Sequence, residues 1–559
     1  MKKIYALFFL FTFFGLTGSG QSPRLVLLEE FTSSTCGPCA TYNPTIIQRL
    51  QQYPDQFTAI FYHVGWPAPG NDPMYLHNQL DNNARVSYYG VNTVPRSVLD
   101  GNYYNGHPNG WNMTTITNRQ AVPSPFTLQL QHELSPSQDT FFITMIAVAS
   151  QNITGQLVAH NAVIEKHIHF TSPPGNNGET DFYNVLKKLL PSKSGFTLPA
   201  SMQDGDYVII ESYWVHENVY DVDELATVGF IQDNADKEVQ QAINSTTDTP
   251  VMPYDDDVEM FDIAQIPSAN CSGKVTPKIT VRNNGNNTVT SFTLKYKINE
   301  NTLETYTWNG SIGVLDKAVI MLPEYSFTPL ASNTFKIYSE NPNNVSDEYP
   351  KNDTLTYTFT SAKTSSLTLY LYLRTDENPQ QSAWDVKNAA GTVIQSGGPY
   401  AEASTLYRDT IYIPQTGCYL FTVYDSGGDG ICCSNTMYKL FDDDGVVIKE
   451  GGLFKYNDMV EFDAVATGFN KRVGNPVSLR VVPNPVYGIS SAIFTLEHSG
   501  TVGITLFNTL GIPVKTWDLG NLLQGTHTVP VDGSSLNPGI YLLRLKTGTS
   551  VMVEKVVVE

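Results

Sequence analysis

Two cysteines with two residues between them carry the clearest chemistry in this chain. In "EEFTSSTCGPCATYNP", residues 29–44, Cys36 and Cys39 stand at the start of a predicted helix. There the first sulfur faces unpaired backbone N–H groups and the positive end of the helix dipole, and both stabilise a thiolate. The thiolate is the nucleophile in disulfide exchange. The second thiol lies one turn further in, close enough to resolve a mixed disulfide. The same pair also suits an inert structural bridge or half of a zinc site. No second CxxC or closely spaced His-x-x-x-His supplies the other zinc ligands, which disfavours the metal.

The elements around the pair alternate strand and helix. "RLVLLEEFT" and "FTAIFYHV" read as buried strands, and "ATYNPTIIQRLQQY" as a helix with Ile46, Ile47 and Leu50 on one side. "LHNQLDNNARVSYY" reads as a second helix, and "RSVLDG" ends in a turn. With its Cys-Gly-Pro-Cys turn and the later "YYGVNTVPRSVLDG", the stretch from about Leu25 to Gly110 resembles the thioredoxin superfamily. The resemblance implies that Glu30 is a buried acid serving the second thiol, and that Pro44 kinks the active-site helix. It also implies that Val94-Pro95 is a cis peptide whose proline faces the disulfide. Cys36 would then attack a substrate disulfide, Cys39 would resolve the intermediate, and Glu30 would assist proton transfer. Two departures stand out: Thr35 replaces the usual aromatic residue, and "GWPAPGNDPMY" is an insertion. A retained scaffold without turnover is the competing reading.

Beyond Pro123 the pattern is mostly β, interrupted by one predicted helix, "TDFYNVLKKLL". "HNAVIEKHIHF", that helix and "ATVGFIQDNADKEVQQA" together resemble the Bacteroidetes outer-membrane protein family named for a mass of twenty-eight kilodaltons. The resemblance implies an envelope or surface location. His160, His167 and His169 invite a metal reading, but no carboxylate spacing supports one. "PKITVRNNGNNTVTSFTLKYKIN" is similar to Ig-like adhesion-related modules of bacterial surface proteins. In "GCYLFTVYDSGGDGICCSNTMYKLFDDDGVV", Cys418 is expected to pair with Cys432 or Cys433. Asp425 and Asp429, among glycines, suggest a calcium loop outside the EF-hand register. "FDDDGVV" reads as a hairpin turn. From Val477 onward, "PNP", "LFNTLGIPV", "PGIYLLRL" and "EKVVV" resemble the C-terminal sorting domain of type IX secretion. That resemblance implies handling by the type IX machinery.

The 559 residues carry 34 Lys+Arg against 54 Asp+Glu, a formal charge of −20, which excludes nucleic-acid binding as a global property. The start of the chain, "MKKIYALFFLFTFFGLTGSG", reads as a signal peptide, so an oxidising, exported setting is expected, with no transmembrane span in the mature chain. The expected organisation is a signal peptide at 1–20, a thioredoxin-like α/β domain at 21–123 and a mostly β domain at 124–248. Several β-sandwich domains follow: an Ig-like one at 259–361, a cysteine-containing, jelly-roll-like one at 364–466 and the sorting domain at 477–559. No Ser/His/Asp order, carboxylate pair or His-Glu-x-x-His points to a hydrolase. Two functions remain. One is a thiol–disulfide oxidoreductase acting on protein disulfides with no required cofactor. The other is a surface adhesion or binding protein in which the first domain is scaffold.

Overall fold

The computed structural model describes residues 22–431, 437–466, 478–496, 499–547 and 551–559. The expected signal peptide, Cys432, Cys433 and most of the linker before the last module lie outside these residues.

The first part begins β1 (Val26–Thr32), α1 (Gly37–Gln52), β2 (Phe57–His63), α2 (Pro73–His77), α3 (Gln79–Tyr89), β3 (Arg96–Leu99), β4 (Tyr104–Gly106) and α4 (Met113–Gln120). Strand β1 runs parallel to β2 and antiparallel to β3. Both β1 and β2 are buried along their whole length, because helices cover both sheet faces. Val26 and Leu28 pack with Ile46 of α1 and Ile116 of α4, whereas Leu27 and Phe31 pack with Tyr89 of α3. The period of two therefore sends the adjacent Glu29 and Glu30 to opposite faces.

The chain continues through β5 (Phe126–Leu134), β6 (Thr140–Ala149), β7 (Ile153–Thr154), β8 (Leu157–His169), β9 (Asp181–Leu190), β10 (Phe196–Thr197), β11 (Ser201–Met202), β12 (Tyr207–Val215), β13 (Leu225–Asp233) and β14 (Val239–Asn244). Five of these extend the first sheet, whose order is β14-β13-β8-β9-β2-β1-β3-β4, with β10 paired to β8. That sheet therefore runs straight across the boundary expected at residue 123. Strands β12, β6 and β5 form a separate sheet packed on the β8 side of the long one.

The helix expected over "TDFYNVLKKLL" is strand β9. Phe182, Val185, Leu186 and Leu189 match a helical stripe, but they are buried between β8 and β2. Tertiary pairing overrides the local pattern. It also places Lys187 3.1 Å from the buried carboxylate of Glu165.

Downstream, three two-layer β-sandwiches follow. The first packs a three-stranded sheet, opening at Val258–Ala264, on a five-stranded sheet that includes Val289–Ile298. The second packs the five-stranded sheet containing Gly417–Asp425 on the four-stranded sheet containing Thr368–Arg374. The last begins at Leu479–Val482 and ends at Val551–Val558.

Cys418 does not bond Cys432 or Cys433; its partner is Cys271, 147 residues earlier. Residues Ala269–Asn270 belong to the first sandwich's sheet, yet Ser268 N donates to Met459 O of the second at 2.9 Å. The bond therefore staples two consecutive modules. The Glu461 carboxylate beneath it accepts from Cys271 N and Ser272 N, each at 2.8 Å. Closing a loop of this length constrains the unfolded chain by roughly 3–5 kcal/mol. The variant carrying Cys271→Ala and Cys418→Ala should lose stability of that order in both sandwiches. Protease should also cut near residue 362 sooner than in the parent. Unchanged calorimetric transitions would remove the staple from the account.

Candidate functional site

Strand β1 ends at Thr32, and the turn "SSTC" leads into α1 with Cys36 as its N-cap. The Cys36 Sγ accepts from Cys39 N at 3.1 Å, as a cap must to satisfy a free amide. Pro38 sits in the first turn, where its missing N–H costs nothing. The two sulfurs are joined in a disulfide, and Cys36 and Cys39 are 1% and 0% exposed. Pro44 lies inside α1.

Glu30 is fully buried on the α1 face of the sheet. Ser97, its register partner on β3, donates to Oε2, and Trp111 Nε1 donates to the same Ser97 oxygen at 2.9 Å. Oε1 has no partner among the described residues. Burial pushes the carboxyl up to about 8, against the opposing Ser97 bond. The group is therefore protonated at neutral pH and can release a proton into the site. An acid whose folded value is raised contributes stability that is full below its ordinary value and is lost as pH rises. Between about pH 5 and 8 the first domain should lose on the order of 1.4 kcal/mol per pH unit through Glu30 alone. Glu30→Gln should flatten that slope, as urea unfolding at pH 5, 7 and 9 would show. Equal slopes in both proteins would place the titration elsewhere.

The Val94-Pro95 peptide is cis. Phe31 pairs with Arg96, so Pro95 lies opposite Thr32, at the sheet end from which the cysteine turn leaves. The fold thus brings Cys36, Cys39, Glu30 and Pro95 to one end of β1 and β3.

Sequence reading missed the groups that grip the turn. Asp72 Oδ2 accepts from Ser34 N and pairs with His63 Nδ1, each at 2.7 Å. Burial pushes the Asp72 carboxyl up, but His63 and the backbone donors outweigh it and hold the group below the usual carboxylate range. Thr35 Oγ1 donates to Pro67 O at 2.9 Å, so the two departures noted in the sequence touch each other. From the opposite side comes the β8–β9 loop. Asn177 Nδ2 donates to Ser33 O at 3.1 Å and Cys36 O at 3.3 Å, and its own N–H donates to Ser34 O at 3.2 Å. Gly175 lies so near Ser34 that a Cβ there would sit 2.1 Å from the Ser34 carbonyl oxygen. Glu179 anchors this strap by accepting from Asn43 of α1 at 2.9 Å. "PPGNNGE" signals a loop in the sequence; where that loop lands is a tertiary fact.

The other candidates disperse. His160 is buried against the Phe230 ring, 4.9 Å away, and burial lowers it to about 3. His167 and His169 both contact Asp181 Oδ1 at 2.9 Å, a carboxylate that β9 supplies across the strands. Asp425 and Asp429 share a loop far along the chain from the Cys36–Cys39 bond. "FDDDGVV" is a turn, with Asp442 N donating to Val446 O.

A series of β-rich modules ending in an export tail is the class this architecture defines. Residues 480–559 match the family described as the secretion system C-terminal sorting domain. That tail is handled by the type IX secretion machinery and indicates export to the cell surface or the extracellular space. No helix among the described residues is long and apolar enough to cross a membrane. No curated protein matches the chain. Among solved structures, HBP35 of Porphyromonas gingivalis is similar at 13% identity, covering 61% of this chain and 99% of that one, with a TM-score of 0.34. The CARDB domain of the PF1109 protein from Pyrococcus furiosus is similar at 19% identity, over 21% of this chain and 95% of that one, with a TM-score of 0.17. Latent PorU from Porphyromonas gingivalis follows at 10% identity, over 58% and 36%, with a TM-score of 0.14. At these values the likenesses bear on neither fold nor function.

Proposed function

We propose that this exported protein is a thiol–disulfide oxidoreductase whose first domain is thioredoxin-like, with Cys36 as the exchanging sulfur and Cys39 as its partner. The observation that carries the reading is a disulfide at a helix N-terminus with a fully buried Glu30 at the same sheet end. The order β1-α1-β2 followed by β3-β4-α4, with β1 between β2 and β3, supports the thioredoxin-like reading.

From the oxidised state, a substrate thiolate attacks Cys36 Sγ. The Cys36–Cys39 bond breaks, and Cys39 leaves as a thiolate that takes a proton, with Glu30 as its source. A second substrate thiolate then attacks the mixed disulfide, so the substrate dithiol loses two electrons and the cysteine pair gains them. The reverse direction needs an external dithiol reductant.

A Cys39→Ser variant, reduced and offered a protein disulfide, should accumulate a mixed disulfide through Cys36 that mass spectrometry can locate. No adduct at Cys36 would overturn the reading. The burial of Cys36 under the Asn177 strap favours a second function, surface adhesion or binding on an inert scaffold. In that case ligand binding by the β modules is indifferent to Cys36.

A further inference from the structure

The loop after Gly417–Asp425 gathers oxygen atoms that lack donors. Asp425 is 2% exposed, and its Oδ2 accepts from the N–H groups of Gly428, Asp429 and Gly430, at 2.5, 3.1 and 3.2 Å. Its Oδ1 is buried and has no partner. Ser382, fully buried, is the cross-strand register partner of Asp425, and its Oγ is also unpartnered. Paired residues on neighbouring strands present their side chains to the same face. The preceding residue, Gln381, holds a third buried oxygen without a donor, Oε1. That atom and Asp429 Oδ1 lie 2.4 and 2.9 Å from a single point, the position a Cβ on Gly427 would take. No Lys or Arg pairs with either aspartate among the described residues.

Buried oxygens without donors need an explanation. Two carboxylates, an amide oxygen and a hydroxyl make an all-oxygen set of the kind that hard cations take. Gly428 and Gly430, at φ +84° and +72°, let the loop wrap this closely without strain. Asp429 is exposed, which leaves a route for entry.

We infer that Asp425 Oδ1, Asp429, Gln381 Oε1 and Ser382 Oγ form a calcium site at this end of the second sandwich, completed by water. The occupant is calcium rather than magnesium. The set mixes neutral and charged oxygens on an irregular, glycine-rich loop, whereas magnesium demands a near-ideal octahedron and keeps its own water. The site stands apart from the disulfide and does not depend on the function proposed for it.

The test uses the full chain and calcium chloride as the probe, followed by calorimetry. Calcium at about millimolar concentration, the range of extracellular modules, should raise the transition of this module. Asp429→Ala and Gln381→Leu should each weaken the response by roughly tenfold or more. Asp425 is left intact because its Oδ2 holds the loop amides. Terbium should luminesce on excitation of Tyr456, whose ring lies 2.5 Å from the Cβ position of Gly428, and calcium should quench that signal. No shift with calcium, an equal shift with magnesium, or an unchanged response in both variants would overturn the inference.

Discussion

Cys36→Ser should reduce disulfide exchange by roughly two orders of magnitude or more, to the background of the remaining cysteines, while the first domain stays folded. The loss follows from chemistry: a serine hydroxyl does not form an anion near neutral pH and cannot enter the thiol–disulfide cycle. The fold survives because the bridge spans a separation of only three residues, so it restricts the unfolded chain little. The turn keeps its grip through Asp72, Pro67 and Asn177. Exchange with a test disulfide, read beside the melting curve, separates the outcomes. Activity equal to that of the parent would assign exchange to another cysteine. Loss of both activity and fold would make the bridge structural.

Arg85→Met should destabilise the first domain by roughly 3–5 kcal/mol, the usual cost of leaving a buried charge without its partner. Arg85 Nε and Nη2 donate to Glu29 Oε1 and Oε2, each at 2.8 Å, and both residues are buried. The same guanidinium donates to Gln232 Oε1 at 3.1 Å, and Gln232 Nε2 donates to Tyr89 Oη at 2.8 Å. The network therefore ties α3 and β1 to β13, across the boundary expected at residue 123. Adding Glu29→Gln to Arg85→Met should recover part of the loss by removing the stranded charge. Urea unfolding of the single and double variants measures the coupling. A strictly additive result would mean that Glu29 and Arg85 do not act as a pair.

These residues also show what was legible before folding. "LLEEFT" marks a buried strand, and parity alone separates Glu29 from Glu30. Only the packing shows that one meets an arginine and the other a serine, which leaves the first as a charge partner and the second as a neutral acid. His167 and His169, two residues apart on a strand, share one face by the period of two. The carboxylate between them was hidden because "TDFYNVLKKLL" carries a helical stripe.

What the sequence determined by itself is local. It set Cys36 and Cys39 at a helix start, β1 and β2 as buried strands, the turn chemistry of the β modules and the sorting tail. Each depends on residues a few positions apart, where spacing, capping and turn preference act directly. Tertiary structure decided the rest: Cys271 as the partner of Cys418, β9 as a strand beside β2, and the strap that brings Asn177 onto the cysteine turn. Those outcomes depend on which distant segment covers which surface. The free energy of burial and pairing is shared by the whole sheet, and no short window of sequence contains it.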